Sequence, residues 1–552
     1  MFYKLQPAGI FIIGSNLKNV KRRAIFKPEF KMCIKMSTDS TKKAEYFLSI
    51  SSQYKLGSLV TESSHPDTRN LSFLAVNDLP KAISVLKDLD INTLSVLHSK
   101  VKEISKLKDA INDTFRSGND VYFCGCGATG RLSLTIETLW RQVNKGKPDE
   151  NRVFSFMSGG DVALIRSIEN FEDYTDYGSR QLHEAGFKDG DLLVGITEGG
   201  ETPIVIGAVE EAIKLSERKP FFLYCNPDDI LCSVAERSKK VIQNPVIEKI
   251  NLTVGPMGIT GSTRMQSSTV LLAAAGLALF YNDRKESDLE KTTIELLNYW
   301  NSTDIGFIEK FIESESGFYK NGDYLLYESD PYLGITIITD TTERSPTFSL
   351  YPFENIYEND LKISLCYLYM PSAENSEIAW DKLLWRKPRT LEWPEISGIA
   401  SMKRLLGFDF SAKVFERRLN KGKPGNQHIF RIARVKEGIE FSLEKNQHLL
   451  KSSFADQLCD HLVLKMILNI HSTLIMGRLG RYQGNVMTYV KASNNKLIDR
   501  SIRYIDHILK NEKVNASYDE ICYALYDVLE VIQLDQSIVL MTVDEIKRRL
   551  KK

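Results

Sequence analysis

Apolar positions change period along this chain. From Lys43 to about Arg116 they recur three and four apart, as in LSVLHSKVKEISKLKDAINDTF, which predicts a helical segment over 43–116. Short apolar runs then alternate with helical ones. DVYFCG (120–125), RVFSFMSGG (152–160), DLLVGITEGG (191–200), PFFLYCNP (220–227) and KVIQNPV (240–246) read as strands. RLSLTIETLWRQV (131–143), TPIVIGAVEEAIKLS and the long apolar TRMQSSTVLLAAAGLALFYN (263–282) read as helices. Strands alternating with helices predict an α/β fold with a parallel sheet covered on both faces. Ligands of such sheets bind at the carboxyl ends of the strands, where the glycine, serine and threonine clusters of this chain fall.

A second α/β block follows. DYLLYES (323–329), KISLCYLYM (362–370) and IFRIARV (429–435) read as strands and LGITIITDTTE (333–343) as a helix. After about 455 the pattern is helical to the end. The expected division is a basic extension over 1–42, a helical segment over 43–116, α/β domains over 117–300 and 301–470, and a helical C-terminal segment over 471–552.

Bulk composition narrows the partners. The chain has 552 residues, enough for two to four domains. Its net charge of +1 gives no global field for nucleic acid or a membrane surface, and no apolar run approaches the ~20 residues of a span. Neither partner is expected, and no helix-turn-helix with a basic face is visible. Eight scattered cysteines read as buried reduced thiols; the spacing of Cys124 and Cys126 does not suit zinc, so no metal or cofactor is expected. Lys18, Lys21, Arg22, Arg23, Lys27, Lys31 and Lys35 face only Glu29. That stretch reads either as an organellar targeting peptide or as a disordered extension ahead of a start at Met36, and the scarcity of Ser and Thr before Ser37 favours the extension. A cytoplasmic location is expected, with a nuclear one left open.

The candidate chemistry lies in three loops. GCGATGR (125–131) joins a strand to a helix. Its glycines let backbone approach an anion, and the helix N-terminus favours negative charge. Thr129 adds a hydroxyl donor and Arg131 a positive charge. The loop also satisfies the dinucleotide fingerprint, but that reading needs an acid ending the next strand. Here the strand ends in Met157, Ser158, Gly159 and Gly160, and Asp161 lies beyond them. GITEGGETP (195–203) and GITGSTR (258–264) are further loops of small hydroxyls and glycine. Three such loops at one sheet edge suit a small phosphorylated polyol.

GCGATGRL, SGGDVALIRSIENFED, GITEGGETPIVIGA and VGPMGITGSTRM resemble the sugar-isomerase (SIS) family, in the group of N-acetylmuramic acid 6-phosphate etherase and glucokinase regulatory protein. The likeness begins at TESSHPDT (61–68) and resumes in KMILNIHST (465–473) and NVMTYVKASNNKL (485–497); it is thinnest between about 375 and 450. It implies two SIS-type, flavodoxin-like domains with a helical lid, and the length and motif order are similar to the regulatory-protein plan. DTTERSPTF (340–348) is similar to a segment that family members carry on the helix after the phosphate loop. Before that helix the second loop reads ESDPYLG, with Glu328 and Asp330 to repel a phosphate.

The resemblance implies a sugar-phosphate site at Gly127, Ala128, Thr129, Gly130, Arg131, Glu172, Thr197, Glu198, Gly199, Glu201, Ser262, Thr263 and Arg264. Glu343 and Lys465 would complete it from the second half. The etherase acid position falls on Leu139, while Glu172 keeps the second carboxylate, so Glu172 and Glu343 are the candidates if the chain is an enzyme. Glu201 departs from the family's serine, and an anion there needs Arg131, Arg264 or sugar hydroxyls as partner. The expectation is a regulator that senses a phosphorylated hexose or amino sugar and binds a hexokinase-type partner. The alternative is an etherase-like lyase or another phosphosugar enzyme.

Overall fold

The five apolar runs of the first block build a parallel sheet. In this computed structural model, which describes residues 40–551 apart from 169–170, 359–361, 397, 453 and 455, its strands are β1 (Val121–Gly125), β2 (Val153–Met157), β3 (Leu192–Ile196), β4 (Phe221–Tyr224) and β5 (Glu248–Asn251). Their order is β2-β1-β3-β4-β5, with Val121 beside Val153 and Leu192. Val121 and Phe123 enter one core, Tyr122 and Cys124 the other, as the two-residue strand period requires. Helices Val101–Arg116, Ala128–Asn144 and Gln266–Phe280 cover the first face, and Thr175–Glu184 and Pro203–Leu215 the second. The strand expected over 240–246 is a correction. Pro245 has no amide for a ladder, so the chain before it coils as helix Glu236–Gln243 and the strand starts after it. Of the extension expected over 1–42, residues 1–39 lie outside the described residues, and helix Ser40–Ile50 takes up its end.

The second sheet is a partial copy of the first. Its strands are β6 (Tyr324–Ser329), β7 (Cys366–Tyr369), β8 (Gln427–Val435), β9 (Gly438–Leu443) and β10 (Asn446–Lys451), in the order β10-β9-β8-β6-β7. The parallel triple β7-β6-β8 repeats β2-β1-β3. Beyond it β9 and β10 are antiparallel, so this sheet is mixed rather than parallel throughout. The reason is chain length. Two residues separate β8 from β9 and β9 from β10, and a parallel return needs a crossover of a dozen or more.

One core runs through both sheets. Helix Gln457–Arg478 is buried along most of its length and packs on helices of both blocks, among them Gly334–Phe348 and Gln266–Phe280. The division expected at residue 470 falls inside it. Among the described residues it is also the one helix long and apolar enough to cross a membrane, although Asp460 and Lys465 interrupt its apolar run; the whole of its most apolar window is buried in protein.

Candidate functional site

The 125–131 loop turns sharply between β1 and helix Ala128–Asn144. A Cβ on Gly125 would lie 2.4 Å from the Thr129 backbone, and one on Gly130 would lie 2.5 Å from the Met157 side chain, so glycine lets the helix sit against the strands. Gly127 differs: its φ is 56°, and a Cβ there would meet nothing within 4 Å. The loop is open on that side. Among the described residues the amides of Gly127 and Ala128 have no backbone acceptor. Thr129 is not the free donor expected. Its hydroxyl donates to the Cys126 carbonyl at 2.9 Å and accepts from the Cys126 amide at 3.0 Å, which fixes the turn. The Cys126 thiol donates to Glu172 Oε2 at 3.4 Å.

Loops from three other strands meet this one. After β3, Thr197 Oγ1 accepts from the Gly200 amide at 3.2 Å and lies 2.8 Å from Thr202 Oγ1. The Gly199 carbonyl accepts from Asn226 beyond β4. Glu201 is buried, and its partners are Arg237 at 2.5 Å and Lys496, not the expected Arg131 or Arg264. Burial alone would raise its carboxyl; Lys496 and Arg237 overcome that and hold it down at about 2. Glu198 is buried too, but its Oε1 has no hydrogen-bond partner. Burial, with the negative Glu343 adding to it, pushes that carboxyl up to about 8. Beyond β5, Gly261 has φ 70° and leaves no room for a Cβ against the Tyr504 hydroxyl, 2.4 Å away; Ser262 is buried beside it and Thr263 half-buried.

Helix Asn495–Asn511 lies across these loops. Lys496, Arg500 and Tyr504 stand four apart on one face of it. They reach Glu201, Glu62 and the Thr260 carbonyl respectively. Its N-cap, Asn494, donates to Glu172 Oε1 at 2.8 Å. Glu62 accepts from Arg500 at 3.0 and 2.5 Å and from Arg503 at 2.8 Å; these overcome its burial and hold it at about 2. The expected lid therefore makes ionic contacts with the TESSHPDT segment and the β3 loop, and a hydrogen bond to Glu172.

The second block approaches from behind. Arg131 is buried and pairs with Glu343 at 3.6 Å, while its Nε donates to Thr342 at 3.4 Å. Burial raises the Glu343 carboxyl against the pull of Arg131, Arg264 and Lys465. Counted from the last residue of β1 and of β6, Cys126 stands opposite Asp330 and Leu139 opposite Glu343. Asp330 Oδ1 accepts from the amides of Tyr332 at 2.8 Å and Leu333 at 2.9 Å, and Oδ2 from that of Arg434 at 3.1 Å. The second loop thus turns a carboxylate of its own onto the Tyr332 amide, where the first leaves the Ala128 amide open.

Residues 101–213 match the family model of the glucokinase regulatory protein N-terminal SIS domain. That stretch is a SIS-type domain. Its sequence is 30% identical to N-acetylmuramic acid 6-phosphate etherase of Photobacterium profundum over 214 residues, 39% of this chain and 65% of that one. It is 32% identical to the enzyme of that name from Enterobacter sp. (strain 638), again over 214 residues, 39% of this chain and 66% of the other. The match thus spans about 65% of the length of these relatives. Among solved structures, tagatose-6-phosphate ketose/aldose isomerase from Escherichia coli aligns with a TM-score of 0.40 at 12% identity, covering 72% of this chain and 94% of that one.

Around this SIS domain the residues singled out from the sequence divide into two groups. Gly127, Ala128, Thr129, Gly130, Glu172, Thr197, Glu198, Gly199, Glu201 and Ser262 lie on the converging loops, with Thr263 at the edge. Arg264 and Lys465 stand behind the glycine loop and meet it at Ala128. Arg264 turns to Asp340 at 3.3 Å, Ser472 at 2.6 Å and Thr473 at 2.9 Å. Lys465 Nζ donates to Thr269 and Asn469, each at 2.8 Å, and to the Arg264 carbonyl at 3.1 Å. With Glu343 and Ala128 they line a cavity of about 20 Å³, room for about one water. Leu139 is fully buried, and Glu137 faces away, paired with Arg141, Arg386 and Arg389. Sequence reasoning missed Lys496 and Asn494, although both lie in the motif NVMTYVKASNNKL.

Proposed function

We propose that the protein binds the phosphate of a phosphorylated sugar at the 125–131 loop, beneath helix Asn495–Asn511. One observation carries this reading: the Ala128 amide is open in the first copy, while at the corresponding place in the second copy the Tyr332 amide is taken by the Asp330 carboxylate. An anion brought by a ligand would stand where Asp330 stands. Glu172 and Lys496 border the same space and would meet the sugar hydroxyls and the phosphate charge. The names of the etherase relatives make N-acetylmuramic acid 6-phosphate the first compound to try. At ~100 times its dissociation constant a true ligand adds roughly 2.7 kcal/mol of stability. A thermal-shift series across that compound and the hexose phosphates is expected to show one such stabiliser. No shift with any phosphorylated sugar would sink the reading.

Whether chemistry follows binding is a second question. A regulator needs none, and the buried Leu139 with Glu343 drawn to Arg131 argues for that case. The lyase reading is favoured by the relatives, all of that one name among the most similar curated proteins. Incubation with N-acetylmuramic acid 6-phosphate decides: release of D-lactate establishes the lyase. A hexokinase-type partner belongs to the regulator case, and there it would bind in a sugar-dependent manner.

A further inference from the structure

Glu198 stands out among the buried acids at the loops. Glu201, three residues on, has Arg237 and Lys496. Glu62 has Arg500 and Arg503. Glu343 has Arg131. Glu198 is 9% exposed, has no ion pair among the described residues, and its Oε1 has no hydrogen-bond partner. The charges near enough to act on it come from every side. They are Glu343, Lys496 and Lys465, and its own charge is felt in turn by Arg131, Cys126 and Cys225. The cations in that set are engaged elsewhere: Arg131 with Glu343, Lys496 with Glu201, Lys465 with Thr269 and Asn469. A buried carboxylate without a counterion, with another carboxylate nearby, is held as the neutral acid.

A neutral acid has a hydroxyl to donate, and nothing among the described residues accepts from Oε1. Cys126 and Arg131, which feel this group, are residues of the glycine loop itself. We propose that Glu198 is a hydrogen-bond donor to the ligand's phosphate, so that the site recognises a phosphate monoester through a carboxylic acid as well as through amides. This rests on the phosphosugar reading of the loop and deepens it. A carboxylate at that position would instead repel the dianion. Binding is therefore linked to one proton held on the protein. With the group at about 8, affinity is full below that pH and falls as pH rises through it.

The test follows the dissociation constants of N-acetylmuramic acid 6-phosphate and inorganic phosphate from pH 7.5 to 9.2. The sugar phosphate stays essentially dianionic there, since the second pKa of a phosphate monoester is about 6; inorganic phosphate, whose second pKa is about one unit higher, is compared only above about pH 8. The full-length protein is expected to bind about tenfold more weakly at the upper end. Glu198→Gln keeps a donor and cannot ionise, so its profile is expected to be flat and its binding at pH 9.2 tighter than that of the unaltered protein. The same slope in Glu198→Gln, or no slope in the unaltered protein, overturns the proposal and leaves the phosphosugar site standing. Absence of binding by the folded unaltered protein at every pH overturns the phosphosugar reading and the proposal together. If Glu198→Gln does not fold, calorimetry of the unaltered protein in buffers of different ionisation enthalpy reads the proton directly. Uptake of about one proton per ligand at pH 9.2 supports the proposal, and none overturns it. Lys465, which burial also pulls down, is controlled by repeating the measurement on Lys465→Met, where the uptake is expected to remain.

Discussion

Two buried lysines differ in what surrounds them. Lys465 is enclosed by neutral acceptors, Asn469 on its own helix and Thr269 on a neighbouring one, and burial pulls it down against the attraction of Asp90. Lys496 stands among carboxylates at the loop edge, and Glu201 and Glu172 hold it up against burial. Only Lys496 offers charge to an incoming phosphate. Lys496→Met is expected to weaken phosphosugar binding by tenfold or more, the loss of one charged hydrogen bond at about 2 kcal/mol. Lys465→Met is expected to lower the unfolding free energy by about 1–3 kcal/mol and leave the dissociation constant in place. Calorimetry beside a urea melt separates the two, and equal loss of affinity would move the site toward Lys465. The sequence placed both lysines in family-like motifs but not their directions. A lysine on a buried helix and one at a helix start look alike in a pattern of apolar spacing. The glycine loop was legible because Gly125, Gly127 and Gly130 each answer a local steric need; the pairing of Glu201 and the isolation of Glu198 depend on residues far away in the chain.

At the level of elements, the parallel strands were readable because each is a short run of apolar β-formers ending in small residues. The segment over 385–396 was not. It leaves the second block and lies on the first, where family likeness is thinnest. Arg386 and Arg389 pair with Glu137 and Asp161, and Trp393 enters an aromatic group with Phe171 and Tyr177 under the Arg180 guanidinium. Phe171 and Glu172 share one short 3-10 turn, so Trp393 steadies the acid at the site from behind. Trp393→Ala is expected to cost about 3–5 kcal/mol of stability. It is also expected to weaken ligand binding several-fold in the protein that remains folded, as read by a urea melt and by titration. Unchanged affinity would make the segment a brace only.

Over the whole molecule, helix Asn495–Asn511 is tied to the N-terminal side of the site through Glu62. That carboxyl sits near 4.5 in an open chain and about 2 when folded, a difference of about 3 kcal/mol. The contribution is fully present above about pH 4.5 and is lost as pH falls toward 2. Acid is therefore expected to free helix Asn495–Asn511 early, and limited proteolysis between pH 5 and 3 is expected to cut there first. Resistance of that helix down to the global transition would show it is held by its apolar face alone.

Asp330 gives the molecule an asymmetry of response. Its carboxylate is tethered to the loop it serves, so it competes at a local concentration that no free metabolite approaches. Of two loops with a common plan, one is permanently occupied and the other answers to the surroundings. A pair of equivalent sites invites cooperativity between them; a pair with one member closed from within has a single variable. If the open loop takes a sugar phosphate as proposed, the expected binding curve is a plain hyperbola, its midpoint set by one dissociation constant and its rise spread over about two decades of ligand rather than one.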